Sequence, residues 1–316
     1  MRVLEYTADG SRLDVLLSQD GVLSRSRAAE LIKGGAVTVD GRAEGKPSAK
    51  PAPGALVRVE VPEPRPAQAE AQDIPLKILY QDAHLAVVVK PCGMVVHPAA
   101  GNPDGTLVNA LLYHLDQLSG IGGELRPGIV HRLDTGVSGL MVCARTPKAA
   151  AALTRQITQS QEAYAVLDGR AAPTQNTLPA PVFTKQYRAV LAGAPDETLP
   201  EHGILRDYLF KDSRKGRVFP VNRPRKGVRE AVLEYRITAS NGTLSLADIT
   251  LHTGRTHQIR VQFASRRHPL WGDGKYGSHF KGTIALQSAR LCFLHPETGE
   301  PMEFALEKPE TAPWNV

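Results

Sequence analysis

Residues 128–139, GIVHRLDTGVSG, place a single aspartate, Asp134, between a His-Arg pair and a Thr-Gly turn. The apolar residues Ile129 and Val130 predict the end of a buried strand, and the glycines that follow predict a turn. A carboxylate at this point is held by rigid neighbours at the edge of the core. Such a residue is placed to act as a nucleophile or a general base, although an ordinary turn aspartate has the same surroundings.

A second informative stretch is LHTGRTHQIRVQF, residues 251–263. Thr253 and Gly254 are predicted to end a strand and open a helix. Arg255 is then expected in the first helical turn, where the helix dipole disfavours a cation. An arginine there needs a carboxylate or phosphate partner, and its planar fork suits bidentate pairing with a carboxylate. Asp134 is one candidate partner, and Asp248 is an equally good one from spacing alone.

A third stretch, KQYRAVL, is predicted to be a strand. Side chains alternate between the two faces of a strand, so Lys185 and Tyr187 share one face. A tyrosine at a strand end is usually half-buried in the core. If Tyr187 faces a nucleotide site instead, its ring can stack on a base.

The chain divides into three segments. Residues 1–61 predict a small module of two short helices and a few strands, and residues 62–75, rich in Pro, Ala and Gln, predict an extended linker. Residues 76–316 mix strands and helices without regular alternation, which predicts an α+β fold with a largely antiparallel sheet. In this larger domain GIVHRLD and GLMVCA are expected as strands, and residues 160–183 as an inserted loop.

The positive charge of the chain is concentrated in one segment. The net charge is +6, while residues 1–70 hold ten basic and ten acidic residues. Residues 206–230 hold nine Lys or Arg and three Asp or Glu, and Tyr208, Phe210 and Phe219 lie among them. A solvated basic loop is the simpler interpretation. Aromatic residues among cations also favour a nucleic-acid groove.

Several protein classes are disfavoured by composition. No apolar run approaches the length of a membrane span, and the N-terminus lacks the apolar core of a signal peptide. Cys92, Cys143 and Cys292 are far apart and form neither a CxxC pair nor a zinc-ligand spacing. They are predicted to be free, buried thiols in a reducing cytoplasm.

Residues 11–61 resemble the S4 RNA-binding domain through RLDVLL, SRSRAAELIKGGAVTVDGR and ALVRVEV. This resemblance implies a module that docks on structured RNA, with Arg25, Arg27 and Lys33 lining part of the second helix. The alternative is a helical cap on the larger domain. Because residues 1–70 have no net charge, an RNA contact would come from a local patch.

Residues 76–308 resemble the RluA-type family of pseudouridine synthases. The motifs that carry the resemblance occur in the family's order: GIVHRLDTGVSGLMV, KQYRAVLAG, RDYLFKD, LHTGRTHQIRVQFA, PLWGDGKYG and RLCFLHPETG. Members that act on large-subunit ribosomal RNA often carry an N-terminal S4 domain. Two features depart from the family pattern. Gln287 stands where many members have histidine, and the loop at 160–183 is longer than usual.

The resemblance implies conversion of uridine in RNA to pseudouridine without a cofactor or metal. Asp134 is then the essential carboxylate, attacking C1′ or removing the C2′ proton. By the same resemblance Arg255 is its partner, which would stabilise the ionised carboxylate. Tyr187 stacks on the uracil, and Leu286 packs against the base.

A stacked base has to be flipped out before it can react. The resemblance implies that Arg132 fills the gap, although a phosphate contact or a structural ion pair is an equal alternative. His131 is expected to orient the backbone or to lie in the core. The expected partner is ribosomal RNA, with transfer RNA as the alternative, and we expect a monomer that has no membrane contact.

Two other functions compete with this interpretation. The sequence Asp134-Thr135-Gly136 also occurs in aspartic proteases, but such an enzyme needs two carboxylates sharing a proton, and the chain has no second motif. A protein that binds ribosomal RNA without chemistry is the stronger rival. It would be expected to lack Asp134, Tyr187 or Arg255, and all three are present.

Overall fold

The computed structural model describes residues 2–19, 23, 25–61, 69–98, 101–115, 128–175, 177–212 and 215–316. The chain folds as two compact units, Met1–Pro66 and Ala67–Val316. Each unit has its own sheet and its own buried core.

The first unit packs two short helices on a small sheet. Its elements are β1 (Arg2–Thr7), α1 (Leu13–Leu16), α2 (Arg25–Lys33), β2 (Val37–Val39), β3 (Arg42–Ala43) and β4 (Leu56–Val61). Among the described residues the strands pair antiparallel in the order β1-β4-β2-β3. Leu13, Leu17 and Ile32 are fully buried in the core of this unit, so the apolar faces predicted for the two helices are confirmed.

One turn and one helix start define the local geometry of the first unit. Asp40 and Gly41 link β2 to β3 with φ angles of 47° and 78°, as a tight hairpin turn requires. Ser11 does not cap α1, because the helix starts after Arg12 and no side chain caps it. Asp14 is instead engaged by Arg12, whose Nε donates to the carboxylate at 2.9 Å.

The second unit contains one large sheet with helices on both faces. Its strands are β5 (Lys77–Gln81), β6 (Leu85–Lys90), β7 (Ser138–Ala144), β8 (Thr184–Ala192), β9 (His202–Asp212), β10 (Arg217–Val221), β11 (Val228–Ser240), β12 (Leu244–Leu251), β13 (Leu286–Leu294) and β14 (Pro301–Ala305). Its helices are α3 (Leu107–His114), α4 (Pro147–Leu167) and α5 (Gln258–Ala264), with a 3₁₀ turn at Gly274–Tyr276.

The strand order confirms the predicted α+β class. In the described part of the chain, ten strands run in the order β10-β9-β11-β12-β8-β13-β7-β6-β5, with β14 paired to β13. The pair β13–β7 is parallel and the other pairs are antiparallel. Gly139, with φ 116°, lets β7 approach β13 closely, since a Cβ there would lie 2.3 Å from the Ser288 carbonyl oxygen.

The middle of the sheet is buried on both faces. Along β7, Met141 and Cys143 pack into one apolar cluster with α3 and α5, while Leu140 and Val142 pack into another with α4. This double burial explains the continuous apolar sequences of β6 and β7. It also fixes the position of the loop that enters β7, which carries Asp134.

The segment GIVHRLD is not the strand that its apolar residues predict. Ile129 forms one isolated bridge with Cys143, and the strand itself begins at Ser138. The physical reason is the inward turn of His131, whose Nε2 accepts a hydrogen bond from the Val142 N–H at 3.1 Å. A side chain thereby takes the place of a backbone partner.

The first third of the predicted loop at residues 160–183 is helix. α4 continues to Leu167, because Ala163 and Tyr164 bury their side chains against the unit. The remaining residues, apart from Asn176, which lies outside the described part, form no helix or strand. Their C-terminal end is fastened by Ser160, whose Oγ accepts from the backbone N–H groups of Val182 and Phe183 at 3.0 and 2.7 Å.

Most of the described residues in the segment 206–230 lie in strands rather than in a solvated loop. They form the end of β9, all of β10 and the start of β11, which pair antiparallel. Their aromatic residues pack against their own cations. The Arg217 guanidinium lies 5.8 Å from the Phe219 ring centroid, and that of Arg225 lies 5.3 Å from the Phe210 ring. The interleaving of charge and aromatic residues is therefore at least partly an internal packing pattern.

The cysteines are free, but only Cys143 is buried, while Cys92 is exposed and Cys292 is intermediate. The expectation of buried thiols is thus wrong for Cys92. No helix in the described residues is long and apolar enough to cross a membrane.

Candidate active site

A pocket of about 250 Å³ opens in the second unit where the loop before β7, strand β8 and the start of α5 meet. The residues predicted for the site that line it are Arg132, Asp134, Tyr187, Arg255 and Leu286. These residues are spread over more than 150 positions of the sequence, and the fold brings them to one cavity. Lys185, His257 and Arg260 line the same cavity.

The loop that carries Asp134 is supported by hydrogen bonds from a buried lysine, Lys90. Lys90 is fully buried, and its Nζ donates to the carbonyl oxygens of Pro91, Met94 and Thr135 at 2.8, 2.8 and 3.3 Å. The Thr135 carbonyl also accepts from the Gly93 N–H at 2.8 Å. Burial lowers the pKa of Lys90 to about 8. The Asp134 backbone is therefore positioned by a rigid and fully hydrogen-bonded support.

The Asp134 carboxylate faces two cationic or donor groups across the pocket. Its Oδ2 lies 3.4 Å from Nη1 of Arg260 and 3.9 Å from Nε2 of His257. The side chain is 20% exposed, so the carboxylate remains open to a molecule in the pocket. Arg260 is fixed by Asp273, with donor–acceptor distances of 2.7 and 2.8 Å, and by the Tyr276 ring at 5.1 Å.

In the structure Arg255 does not pair with Asp134, because Arg260 occupies the position beside the Asp134 carboxylate. α5 begins at Gln258, so Arg255 lies in the preceding turn, and its Nε donates to the Glu230 carbonyl oxygen at 2.8 Å. Asp248, the alternative partner, lies 3.3 Å from Arg188. Burial, with repulsion from neighbouring arginines, lowers the pKa of Arg255.

The helix dipole disfavours the charge of Arg260 rather than that of Arg255, because only Arg260 lies in the helix. Arg260 is in the first turn of α5, where a cation needs carboxylate partners, and it has Asp273 and Asp134. A helix start assigned at Gln258 would have found it. His257 precedes the helix with φ 53° and ψ 23°, a left-handed conformation that a sequence pattern does not reveal.

The hydrogen bonds of His257 assign its tautomer. The Tyr276 hydroxyl accepts from the Val218 N–H at 3.1 Å, so its own proton is free to be donated to Nδ1 of His257 at 2.7 Å. The proton of the neutral imidazole is then on Nε2, which faces Asp134. Burial lowers the pKa of His257 despite the nearby Asp134 carboxylate, which favours this neutral form.

One wall of the pocket is formed by neighbouring strands. Tyr187 of β8 is 6% exposed, and Leu286 of β13 is 3% exposed. Burial, and then the charge of Asp134, raise the pKa of Tyr187, so its phenol stays protonated. Lys185 shares the Tyr187 face, as predicted, and also lines the pocket. An aromatic ring and an aliphatic side chain together offer an apolar slot for a planar base.

Of the His-Arg pair before Asp134, Arg132 is exposed and His131 is half-buried. The Arg132 side chain is exposed at the pocket, and no described residue forms a hydrogen bond or ion pair with it. Burial lowers the pKa of His131 to about 3, so this histidine is neutral. Its bond to the Val142 backbone agrees with the backbone-orienting role expected for it.

A second cluster beside the pocket was not anticipated from the sequence. Asp168 follows α4, and its carboxylate accepts hydrogen bonds from Nε and Nη2 of Arg170 at 2.7 and 2.8 Å. Nδ1 of His252 lies 3.0 Å from the same carboxylate. The His252 ring stacks on Tyr164 with 4.2 Å between centroids. The segment interpreted as an insertion therefore anchors the side of the pocket near Arg255.

The S4-like residues belong to the first unit. The side chains of Arg25 and Arg27 lie outside the described part of the chain, and Lys33 is exposed at the end of α2. Among the described residues, no group of three or more His, Cys, Asp or Glu side chains is arranged to hold a metal ion.

Comparisons with known proteins agree with these two units. The RNA pseudouridylate synthase family model matches residues 84–265, and the S4 domain model matches residues 11–57. An uncharacterized RNA pseudouridine synthase of Aquifex aeolicus is 39% identical, over 98% of this chain and 94% of its own length. Ribosomal large subunit pseudouridine synthase D of Zymomonas mobilis is 40% identical, over 95% of this chain and 91% of its own length.

The solved structure of human RNA pseudouridylate synthase domain containing 1 has the same fold. It superposes with a TM-score of 0.51 at 21% identity, covering 75% of this chain and 85% of that chain. The fold, the pocket and these matches define an enzyme that acts on uridine in RNA. The chain belongs to the RNA pseudouridylate synthase family and is an RNA pseudouridine synthase with an N-terminal S4 domain.

Proposed function

We propose that this enzyme isomerises uridine to pseudouridine in large-subunit ribosomal RNA, with Asp134 as the catalytic carboxylate. The Zymomonas mobilis relative, named as acting on the ribosomal large subunit, supports this substrate through 40% identity over nearly the whole chain. The observation that carries the catalytic assignment is the Asp134 carboxylate, 20% exposed in the pocket and 3.4 Å from Arg260. A carboxylate that is ionised and open to the pocket is what this reaction needs.

Each wall of the pocket then has a role in the reaction. Arg260 places its positive charge beside the Asp134 carboxylate, taking the role that the family resemblance had suggested for Arg255. Tyr187 and Leu286 hold the uracil, while Asp134 attacks C1′ or removes the C2′ proton. The bond from N1 to C1′ breaks, C5 bonds to C1′, and the C5 proton is lost while N1 gains a proton.

The target base enters by flipping out of its stack, because the reacting atoms lie inside a protein pocket. Arg132 is exposed beside Asp134, so it is placed to fill the gap or to contact a phosphate. The S4 domain provides a second RNA contact, with Arg25, Arg27 and Lys33 as its expected cations. A ribosomal RNA substrate places the enzyme in the cytoplasm, where we expect it to act as a monomer.

The test follows tritium release from ribosomal RNA labelled at uracil C5. Wild-type protein is expected to release tritium, and Asp134→Asn to lose the activity by on the order of 10³-fold or more while remaining folded. The matched control is Asp248→Asn, which removes an acid of the same unit that does not line the pocket. This control is expected to retain wild-type activity.

The outcomes separate the competing functions. Equal release by Asp134→Asn and wild type would overturn the catalytic assignment. Release from transfer RNA but not from ribosomal RNA would replace the substrate and leave the chemistry in place. RNA binding without release from either RNA would favour a binding protein.

A further inference from the structure

Two lysines of the second unit differ in what surrounds their ammonium groups. Lys90 donates to three carbonyl oxygens and is satisfied within the protein. Lys185 is half-buried on β8 and lines the pocket, but no described residue forms a hydrogen bond or ion pair with its Nζ. Lys90 therefore has a structural role that is complete, whereas the ammonium of Lys185 is available to a ligand.

The position of this ammonium is marked by a glycine of the pocket wall. A Cβ built on Gly254 would lie 3.6 Å from Nζ of Lys185, so the absence of a side chain at Gly254 leaves the ammonium accessible. Lys185 lies two residues before Tyr187 on the same face of β8, a separation of about 7 Å. That separation is comparable to the span from a base to its own backbone phosphate.

The charge of Lys185 has no counter-ion inside the pocket. Burial is the cause that lowers its pKa to about 8, and no carboxylate offsets it. Asp134 faces Arg260 and His257 instead. An ammonium that is partly removed from water and lacks a charged partner is stabilised when an anion enters the pocket.

We infer that Lys185 binds a backbone phosphate of the flipped nucleotide whose uracil lies against Tyr187. The inference rests on the proposed function of the pocket. A phosphate is favoured over a uracil carbonyl because it brings a full negative charge to Lys185, whereas the carboxylate of the pocket, Asp134, faces Arg260 and His257. Lys185 is thus a substrate-binding residue that distinguishes a nucleotide within an RNA chain from a free uracil base.

The pH dependence of this contact depends on the surrounding groups. The other charged and titratable side chains of the pocket are His131, Arg132 and Asp134 before β7, Tyr187 on β8, and Arg255, His257 and Arg260 around the start of α5. Of these, His131 is influenced by Lys185 and is neutral, with its pKa at about 3. The ammonium form of Lys185 is present below about pH 8 and is lost above it.

The experiment compares wild type with Lys185→Met and Lys185→Arg, using a ribosomal RNA fragment. Kd and kcat/KM are measured against salt and pH. Lys185→Met is expected to weaken Kd and kcat/KM about tenfold and to reduce the slope of log affinity against log salt by about 0.7, the value for one phosphate contact on a single strand. Wild-type kcat/KM is expected to fall as pH rises through about 8, a fall absent in Lys185→Met and shifted upward in Lys185→Arg.

Lys77→Met, which removes an exposed lysine of β5 outside the pocket, is the matched control and is expected to change neither slope nor pH profile. Lys185→Gln provides a second neutral variant if Lys185→Met unfolds. An unchanged salt slope in the neutral variants would overturn the inference, even with reduced kcat, because it would indicate contact with a base carbonyl. The Kd measurements test the role of Lys185 even if wild type releases no tritium. Absence of tritium release would instead overturn the proposed function.

Discussion

Asp134 and Asp168 each lie beside an arginine and a histidine, yet the two clusters are bonded very differently. Asp168 is 1% exposed and accepts two short bonds from Arg170 and one from His252. Asp134 is 20% exposed and has one longer contact at 3.4 Å to Arg260. The same residue types therefore form a closed structural cluster at one position and an open, reactive one at the other.

The difference arises from which partner satisfies the arginine. At Asp168 the fork of Arg170 is directed at the carboxylate itself. At Asp134 the fork of Arg260 is directed at Asp273, and only the remaining Nη1 face reaches Asp134. Arg260 thus supplies positive charge to Asp134 through a single long hydrogen bond to Oδ2, which leaves the other lone pairs of the carboxylate unoccupied by Arg260. These lone pairs remain available for a substrate atom, which is the condition for a nucleophile or base.

The largest expected effect follows from removing the shared arginine. Arg260→Met is expected to lower the rate of tritium release by on the order of 10² to 10³-fold, because Asp134 loses its cation. It is also expected to lower the free energy of unfolding by about 3 kcal/mol or more, because Asp273 is left buried and unpaired. Single-turnover kinetics and urea unfolding measure the two effects. Arg255→Met is expected to slow the reaction less.

A double variant separates the two effects of Arg260. Arg260→Met with Asp273→Leu removes the unpaired carboxylate, so stability is expected to recover while activity stays low. Recovery of activity in the double variant would show that the loss came from misfolding. If Arg255→Met proved the more damaging single variant, the assignment of Arg260 as the partner of Asp134 would be wrong.

The closed cluster predicts an effect on stability with little effect on rate. Asp168→Asn is expected to lower the free energy of unfolding by about 3 kcal/mol, because Arg170 and His252 lose a buried partner. The rate of the folded enzyme is expected to change less than about tenfold, since Asp168 does not line the pocket. Urea unfolding and tritium release measured on the same samples test both statements.

The pH dependence of that stability has a definite sign. The hydrogen bonds and charges of Arg170 and His252 lower the pKa of Asp168 below its ordinary value near 4, despite burial. The stabilisation is therefore present above about pH 4 and is lost as pH falls below it. Asp168→Asn should remove this acid-dependent part of the unfolding curve. Asp248→Asn, which changes a half-exposed acid, should leave it intact.

The open cluster also shows what the sequence could and could not predict. The turn before β7 and the strand face shared by Lys185 and Tyr187 follow from local patterns, and the structure has them. Local patterns suffice because strand alternation and turn chemistry depend on neighbouring residues. The choice between Arg255 and Arg260 does not follow from a local pattern, since both residues come after the same Thr-Gly turn. It depends on where α5 begins, which the left-handed His257 sets.

The closed cluster lay in a segment interpreted as an inserted loop. Its residues are brought together from α4, the following loop and the residue after β12, and no local pattern in the sequence connects Asp168 with His252. The C-terminal part of α4, from residue 160 onwards, was assigned to that loop because residues 158–162 are polar and show no apolar period. Tertiary burial of Tyr164 and Ala163 extends the helix beyond that pattern.

The smallest expected effect is that of removing one tyrosine hydroxyl, compared between Tyr276 beside the open cluster and Tyr164 in the closed cluster. Tyr276→Phe removes the hydroxyl that donates to Nδ1 of His257, so the imidazole proton is no longer held on Nε2 towards Asp134. Loss of one hydrogen bond of about 1 kcal/mol predicts a rate about fivefold lower. Tyr164→Phe keeps the ring that stacks on His252, whose orientation Asp168 already fixes, and is expected to leave the rate unchanged.

Single-turnover tritium release at several pH values distinguishes the two variants. A drop in Tyr276→Phe that is uniform in pH would point to the lost Val218 contact and general loosening, because the Val218 N–H also loses its acceptor. A drop that deepens as pH falls towards the ordinary histidine pKa would indicate protonation of a freed His257, because the Tyr276 proton no longer opposes a proton on Nδ1. Equal drops in Tyr276→Phe and Tyr164→Phe would mean that both histidines are structural. The difference between the open and the closed cluster would then rest on the arginines alone.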